Sequence, residues 1–167
     1  IPIEDKYIEK NEDITLDGIS GNYVHGNEPV PPLPYLYNWT NDAWKTQERV
    51  RMIMKTMYAN ARDGLCGNDD AGQMSAWYVF SALGFYPVCP GSDHYAIGSP
   101  NIEGARIVVG RKTLVNIAVK NQSEKNIYVQ KVEVDGKKID LNYLLHEELT
   151  GGYSITFYMG NKPKKER

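Results

Sequence analysis

The sequence predicts an α+β protein in which helices come first and strands follow, with the change near Pro87. Before Pro87 the apolar residues recur at the spacing of one helix face, and after it they alternate with polar residues. Polar turns that contain glycine separate the alternating segments. A chain of 167 residues suits one domain, or the end of a domain joined to a smaller second one.

The first predicted helix covers about Asn41–Ala59. Residues at helical spacing give it one apolar stripe: Val50, Ile53, Met54, Met57 and Tyr58. Asn41 or Asp42 can cap its start, and Asp63-Gly64 marks the exit into a loop.

The second predicted helix, Ala71–Leu83, is apolar almost all round and is therefore expected to be buried on most sides. Gly84 is expected to end it in the left-handed conformation, with Phe85 packing back on its last turn. Pro87 stops any continuation of the helix.

Four strands are predicted after Pro87, which suggests a small antiparallel sheet or sandwich: Arg106–Val109, Leu114–Val119, Ile127–Val134 and Tyr153–Tyr158. The segment Asn142–Leu149 fits a helix or a strand equally well. The basic segment Asn161–Arg167 is expected to be a solvated, disordered tail.

The composition narrows the classes of function. A net charge of -2 argues against a nucleic-acid partner, and no apolar run approaches the roughly 20 residues that span a bilayer. The 12 Tyr and 3 Trp against 3 Phe suit sugar binding, but they suit a wet protein interface equally well. Cys66 and Cys89 can form a disulfide in an oxidising compartment or remain as buried thiols.

A polar cluster at Gly67–Gln73 is the first candidate site. Asp69 and Asp70 stand directly before the apolar helix, where acidic residues commonly cap the free N–H groups and meet the positive end of the helix dipole. The same position also suits a general base, because the packed helix holds the loop rigidly. Residue types alone favour the capping role about two to one.

A second polar cluster, Gly26–Pro29, precedes a proline-rich stretch. Glu28 before Pro29 can simply start a helix, with the proline in its first turn. Asn27 and Glu28 also offer oxygen ligands of the kind that Ca²⁺ prefers. The spacing differs from that of an EF-hand loop, so a calcium site here would need ligands from distant segments.

Several segments together are more specific than either cluster. The longest is GNDDAGQMSAWYVFSALGFYPV at Gly67–Val88. Downstream of it come PG at 90–91, Tyr95 and IGSP at 97–100, and upstream come HGNEP at 25–29, PYLY at 34–37 and WKTQ at 44–47. In order and spacing these segments resemble glycoside hydrolase family 92 α-mannosidases over about Gly18–Gly160.

The resemblance implies calcium-dependent, exo-acting hydrolysis of terminal α-linked mannose, with α-1,2 linkages expected and inversion at the anomeric carbon. In such a reaction an acid protonates the leaving oxygen while a carboxylate activates water on the opposite face. Asp70 best matches the base of the family, and Asp69 is the second catalytic candidate. The expected partners are mannose-containing glycans, and the expected location is periplasmic or secreted.

Further residues are assigned by the same resemblance. Asn68, Gln73 and Glu28 are expected to contact the substrate, although Asn68 stands where some relatives carry a second carboxylate. Asn27 and Glu28 are expected to lie beside a Ca²⁺ that contacts mannose hydroxyls. Many relatives have Ser-His-His after the Glu-Pro pair where this chain has Val30–Pro32, so the linkage preference could differ.

The resemblance also implies a domain organisation. Residues 1–87 would be the closing helices of an (α/α)6 barrel, residues 88–160 a β-rich C-terminal domain and residues 161–167 a basic tail. The general acid of the family lies upstream of HGNEP, and residues 1–24 show no match to it. The chain is therefore expected to be part of a longer enzyme, to be inactive alone and to self-associate; Glu9, Glu12 and Glu28 are the first acid candidates if it is active.

The alternative is a non-catalytic carbohydrate-binding or structural β-module that happens to carry helices. The pair Asp69 and Asp70 discriminates between the two, because a binding module has no need of paired carboxylates at the start of a helix.

Overall fold

The structure is a computed structural model that describes residues 19–20, 23–27 and 29–165. A 3₁₀ helix at Leu33–Trp39 precedes the helices α1 (Ala43–Thr56) and α2 (Gln73–Leu83). Both predicted α-helices are confirmed, and each is a few residues shorter than expected. Asp42 is the N-cap of α1, but its carboxylate accepts hydrogen bonds from Trp44 Nε1 at 3.1 Å and Lys45 Nζ at 2.6 Å instead of capping the backbone.

Helix α2 ends as the sequence predicts and is partly exposed. Gly84 has a φ of 103°, in the left-handed region, and the rings of Phe80 and Phe85 meet with centroids 5.8 Å apart. In a complete barrel this helix is expected to have neighbours on most sides, whereas in this chain part of its surface is expected to meet solvent, and the described structure shows such an exposed part. Met74, Trp77 and Ser81 are its buried residues, whereas the side chain of Val79 is 57% exposed because no described element covers that face.

The described residues form three sheets. The strands β1 (Ile19–Ser20) and β2 (Tyr23–Val24) form an antiparallel pair. The second sheet has the order β3-β4-β9, with these bounds: β3 (Phe85–Tyr86), β4 (His94–Ile97) and β9 (Tyr143–Leu145). The third has the order β5-β6-β10-β7-β8, with these bounds: β5 (Gly104–Val109), β6 (Thr113–Lys120), β7 (Tyr128–Val134), β8 (Lys137–Lys138) and β10 (Ser154–Gly160).

The four predicted strands are confirmed as β5, β6, β7 and β10. The ambiguous segment Asn142–Leu149 contains both kinds of element, since β9 leads directly into the short helix α3 (His146–Thr150). The expectation of a wholly antiparallel sheet is wrong: β10 lies parallel to β6, with Ser154 opposite Asn116. After β8 the chain leaves the sheet through β9 and α3, and a connection of this length does not impose the antiparallel pairing that a tight turn does.

Two clusters of buried side chains form the interior. The helical core is rich in aromatic and sulfur-containing residues: Tyr35, Val50, Ile53, Met54, Met57, Cys66, Met74, Trp77 and Ala96. The β core is mainly aliphatic: Phe85, Ile97, Val115, Ile117, Val119, Val129, Val132, Val134, Leu144, Leu149, Ile155, Phe157 and Met159.

Helix α1 joins the two cores through polar side chains. Gln47 Oε1 accepts a hydrogen bond from the backbone N–H of Val129 at 2.9 Å. The guanidinium of buried Arg51 donates to Asn101 Oδ1 at 2.7 Å, to Ser99 Oγ at 3.3 Å and to the carbonyl of Pro100. The predicted domain boundary at residues 87–88 stays a prediction.

Three smaller expectations concern the surface. Residues 161–165 are largely exposed, yet this part of the tail is docked, because Gln130 Nε2 donates to the carbonyl of Lys162 at 2.9 Å. Cys66 is buried and Cys89 is exposed, and both are free thiols. Within the described ranges, no helix combines the length and the apolar character needed to cross a bilayer.

Candidate active site

The two polar clusters of the sequence meet in the fold through a pair of glycines. A Cβ atom added to Gly26 would lie 2.5 Å from the carbonyl oxygen of Cys66, and one added to Gly67 would lie 3.2 Å from the Cα of Gly26. The two backbones are therefore in direct contact, and any side chain at Gly26 would push them apart. Asn27 and Asn68 directly follow these two glycines, so they belong to adjoining stretches of backbone.

The carboxylate of Asp69 is fully engaged with the first turn of α2. One oxygen accepts the backbone N–H of Ser75 at 2.9 Å, and the other accepts the Ser75 hydroxyl at 2.9 Å. The Asp69 carbonyl accepts a further hydrogen bond from the Gly72 N–H at 2.9 Å. This arrangement gives Asp69 the capping role, in which a carboxylate satisfies an N–H group that the helix leaves free.

Asp70 stands in a different position from its neighbour. Its side chain is exposed, and its backbone begins a left-handed run with φ values of 42° at Asp70, 59° at Ala71 and 93° at Gly72. A left-handed conformation costs a non-glycine residue on the order of 1–2 kcal/mol, and aspartate tolerates it better than most residues. The left-handed run leads directly into α2 at Gln73, and the Asp69 contacts hold the turn to the helix.

The other predicted site residues lie around this turn. Asn68 is exposed beside it, and the backbone N–H of Gln73 donates to the Asp70 carbonyl at 3.3 Å. Asn27 is exposed, and its carbonyl accepts from the Val30 N–H at 2.8 Å. Glu28 lies outside the described residues, so its predicted contacts with substrate and metal stay predictions.

A partly buried hydrogen-bonded network, centred on a buried histidine, lies beside the two loops. His25 is 0% exposed; its Nδ1 is 2.5 Å from the Tyr23 hydroxyl and its Nε2 is 2.7 Å from the Tyr58 hydroxyl. Tyr58 in turn donates to the carbonyl of Met74 at 3.0 Å. The edge of the His25 ring meets Trp77 with centroids 4.4 Å apart, and Tyr58 stacks on Trp77 at 5.9 Å.

The direction of these hydrogen bonds fixes the tautomer of His25. Tyr58 gives its single proton to the Met74 carbonyl, so it must accept the proton of His25 Nε2. Nδ1 is then unprotonated and accepts from Tyr23. Burial lowers the pKa of His25 to about 4 and raises the pKa of Tyr23 and Tyr58 far above the ordinary value. The network is therefore neutral at physiological pH.

The whole of this region matches one known family. A model of the glycosyl hydrolase family 92 catalytic domain covers residues 5–161, which include both loops, the network and both cores. The chain belongs to glycosyl hydrolase family 92.

Solved structures of family members share the fold. The chain is similar to the GH92 α-mannosidase BT3965 of Bacteroides thetaiotaomicron, with 42% identity and a TM-score of 0.85, over 93% of this chain and 22% of that one. A structure of BT3965 in complex with mannoimidazole gives a TM-score of 0.86 at 42% identity, over 92% of this chain and 20% of that one. The inverting mannosidase BT2199 of the same organism is 39% identical, with a TM-score of 0.78, over 86% and 19% of the two chains.

A relative from Arthroderma benhamiae carries the name of an uncharacterized secreted glycosidase. It is 27% identical over 140 residues, which are 82% of this chain and 18% of the relative. The chain thus spans about a fifth of the length of the family 92 proteins that it matches.

The described residues of this family 92 chain include oxygen groups of the type that bind Ca²⁺. The exposed amide of Asn27 and the carboxylate of Asp70 have the oxygen chemistry that Ca²⁺ prefers. However, no group of three or more His, Cys, Asp or Glu side chains in the described ranges is placed to hold a metal ion. Because Ca²⁺ takes about six to eight oxygen ligands, a complete site would need Glu28, backbone oxygens or further segments.

Residue-by-residue interpretation of the sequence missed the network. His25 and Tyr58 are 33 positions apart; His25 belongs to the HGNEP segment, but nothing in the sequence pairs it with Tyr58. The available signal was the surplus of tyrosine over phenylalanine, since a buried tyrosine hydroxyl needs a hydrogen-bond partner. The contact of Gly26 with Gly67 was also missed, because a glycine in a polar loop predicts a turn as readily as a close approach of two backbones.

Proposed function

We propose that this chain is the C-terminal portion of a secreted or periplasmic, inverting exo-α-mannosidase that removes terminal mannose, with α-1,2 linkages preferred, from glycans. Membership of family 92 supports a glycosidase. The similarity to the α-mannosidase BT3965, which has also been solved with mannoimidazole, and to the inverting mannosidase BT2199 supports the substrate and the stereochemistry. The helices would close an (α/α)6 barrel whose remaining helices come from segments beyond this chain.

The observation that carries the mechanism is the division of roles between the adjacent aspartates. Both carboxylate oxygens of Asp69 are bound to Ser75, whereas the exposed carboxylate of Asp70 is available to accept a proton from water. Asp70 is the proposed general base. It takes a proton from the water that attacks the anomeric carbon, while an acid on the opposite side protonates the departing oxygen.

The acid is proposed to come from outside this chain. Inverting enzymes place their two carboxyl groups roughly 6.5–9.5 Å apart, and the turn at Asp69–Gly72 supplies the base side. Without the acid the leaving group departs unprotonated, so the isolated chain should not hydrolyse α-mannosides. Its exposed apolar side chains, which include Leu36, Trp39 and Val79, favour self-association.

Asp70→Asn tests the base in the full-length enzyme. Asparagine also tolerates the left-handed conformation, so the substitution removes the charge and leaves the turn intact. We expect kcat on an aryl α-mannoside to fall roughly 10²–10⁴-fold, the usual contribution of general base catalysis, with an unchanged melting temperature. Unchanged turnover would exclude the role.

Asp69→Asn is the matched control for that experiment. It should lower stability more than Asp70→Asn, because the asparagine amide keeps only one acceptor oxygen for the two Ser75 donors. A larger loss of kcat in Asp69→Asn than in Asp70→Asn would move the base by one residue.

A bound Ca²⁺ is proposed to contact mannose hydroxyls, with Asn27 and Glu28 among its ligands. When bound, such an ion supplies positive charge that orients the sugar. Treatment of the full-length enzyme with EDTA should abolish activity, and added Ca²⁺ should restore it. Full activity after exhaustive chelation would count against the metal.

A further inference from the structure

The loop that carries Asn27 and the turn that carries Asp70 are joined twice. The first join is the backbone contact of Gly26 with Cys66 and Gly67. The second is the network that runs from Tyr23 through His25 and Tyr58 to the carbonyl of Met74. Two separate attachments restrict the relative movement of the loops more than either attachment alone.

The network ends where the aspartate turn is anchored. Met74 directly precedes Ser75, which binds both oxygens of Asp69, and the Met74 N–H itself lies 3.4 Å from the Asp69 carbonyl. A shift of the Met74 peptide would therefore displace the turn at Asp69–Gly72. At its other end, Tyr23 belongs to β2, and His25 directly precedes the glycine contact.

The surroundings make the network rigid. His25 and Trp77 are completely buried, and Trp77 packs against two of the three rings of the network, His25 at 4.4 Å and Tyr58 at 5.9 Å. Trp77 is itself fixed by a hydrogen bond from its Nε1 to the carbonyl of Pro31 at 2.9 Å. At the completely buried His25 ring, a nitrogen that loses its partner carries the cost of an unsatisfied polar group.

We infer that His25 and Tyr58 are positioning residues that set the placement of the Asp70 turn relative to the Asn27 loop. This inference rests on the proposed function, because the placement matters for turnover only if the two loops form one sugar site. Neither residue touches the reacting atoms. A displacement of about 1 Å in a catalytic group can lower the rate as much as 10²-fold, so loss of the network should be visible in kcat.

Tyr58→Phe is the decisive variant. It keeps the ring against Trp77 but leaves His25 Nε2 without a partner and removes the side-chain hydrogen bond to the Met74 carbonyl. The matched control is Tyr35→Phe, which removes another buried hydroxyl of the same core, hydrogen-bonded to Ser81 Oγ at 2.7 Å but to neither loop. Both variants should show a similar decrease in melting temperature.

The two variants should differ in turnover and in local exchange. In the full-length enzyme, well below either melting temperature, Tyr58→Phe should lower kcat roughly 10–100-fold, while Tyr35→Phe stays within about twofold. Hydrogen–deuterium exchange should rise in residues 23–27 and 66–75 in Tyr58→Phe alone. Tyr23→Phe, which removes only the donor to Nδ1, should show both effects at smaller amplitude and replaces Tyr58→Phe if that variant does not fold.

Each other outcome overturns the inference. Equal effects of Tyr58→Phe and Tyr35→Phe would mean that the network contributes only to general stability. A lower kcat without increased exchange in both segments, or increased exchange without a lower kcat, would mean that loop placement does not control turnover. If the unmodified enzyme does not cleave α-mannosides, the proposed function is wrong, and the exchange data alone decide whether the network holds the loops.

Discussion

The interior around Trp77 and the interior beneath the five-stranded sheet are held by different kinds of contact. Around Trp77 the rings of His25, Tyr35, Tyr58 and Tyr86 lie with centroids 4.4–6.4 Å from the indole, and three of these side chains are hydrogen-bonded through ring nitrogens or hydroxyls. Beneath the sheet, valine and isoleucine predominate and offer no polar atoms.

The two cores respond differently to substitution. An aliphatic core is non-directional, so side chains of similar volume replace one another at modest cost. A hydrogen-bonded aromatic core is directional, and loss of one hydroxyl leaves a buried partner unsatisfied at about 1–3 kcal/mol. The directional core lies directly beneath the candidate site, where precise placement matters, and the aliphatic core supports it from the side.

The two cores should differ most in how alkaline pH affects their stability. Burial raises the pKa of Tyr23, Tyr35 and Tyr58 far above the value of about 10 that tyrosine has in an unfolded chain. Below pH 10 these tyrosines are neutral in both the folded and the unfolded state, and their contribution to folding stability is fully present. Above pH 10 they ionise first in the unfolded state, which lowers the folding stability. At pH 11 each of the three should cost about 1.4 kcal/mol, or about 4 kcal/mol together.

Denaturant unfolding of the chain between pH 8 and 11 measures this loss. The variant Tyr35→Phe is the control, because it should reduce the slope of the unfolding free energy against pH above pH 10 by the contribution of one proton. An unfolding free energy that does not change with pH would mean that these tyrosines are accessible to solvent and that the helical core does not depend on directional hydrogen bonds.

Arg51→Met should uncouple the two cores. The guanidinium donates to Ser99, Pro100 and Asn101 from a buried position, and hydrogen bonds from charged groups contribute about 1.5–3 kcal/mol. We expect a loss of about 2–3 kcal/mol and a broader or two-step thermal transition. Arg49→Met, on the exposed side of the same helix, should change stability by less than about 0.5 kcal/mol. A sharp single transition in Arg51→Met would show that other contacts couple the cores.

Met159→Leu should have the smallest effect. Met159 is buried in the β core, where a volume-conserving apolar replacement such as leucine for methionine costs less than about 1.5 kcal/mol. The free energy of unfolding from urea denaturation measures it. A cost larger than that of Tyr58→Phe would reverse the comparison and make the β core the less tolerant of the two.

The sequence predicted the elements better than the contacts between them. Helix α2 and its end at Gly84 were predictable because the turn residues and the apolar pattern are local. The parallel pairing of β10 with β6 was not, because period-two patterning carries no strand direction. The 3₁₀ helix at Leu33–Trp39 also escaped prediction, since the prolines in and before it fit a rigid loop equally well.

The site shows the same limit. The sequence identifies Asp69 and Asp70 as a pair, but only the fold separates the carboxylate bound to Ser75 from the exposed one. His25 stands out in the sequence only as part of a motif, because its partner Tyr58 comes from another element. Local patterns identify candidates; the distant contacts that differentiate them require the folded structure.

The place of β10 has a consequence for synthesis on the ribosome. It follows every other strand in sequence, yet it lies in the middle of the five-stranded sheet, between β6 and β7. Until Gly160 has left the exit tunnel, β5–β6 and β7–β8 are separate two-stranded ribbons, which are marginally stable in water. Their apolar faces and inner edges then stay open to other nascent chains. A chaperone that shields these ribbons would be needed most in the interval before this single strand emerges.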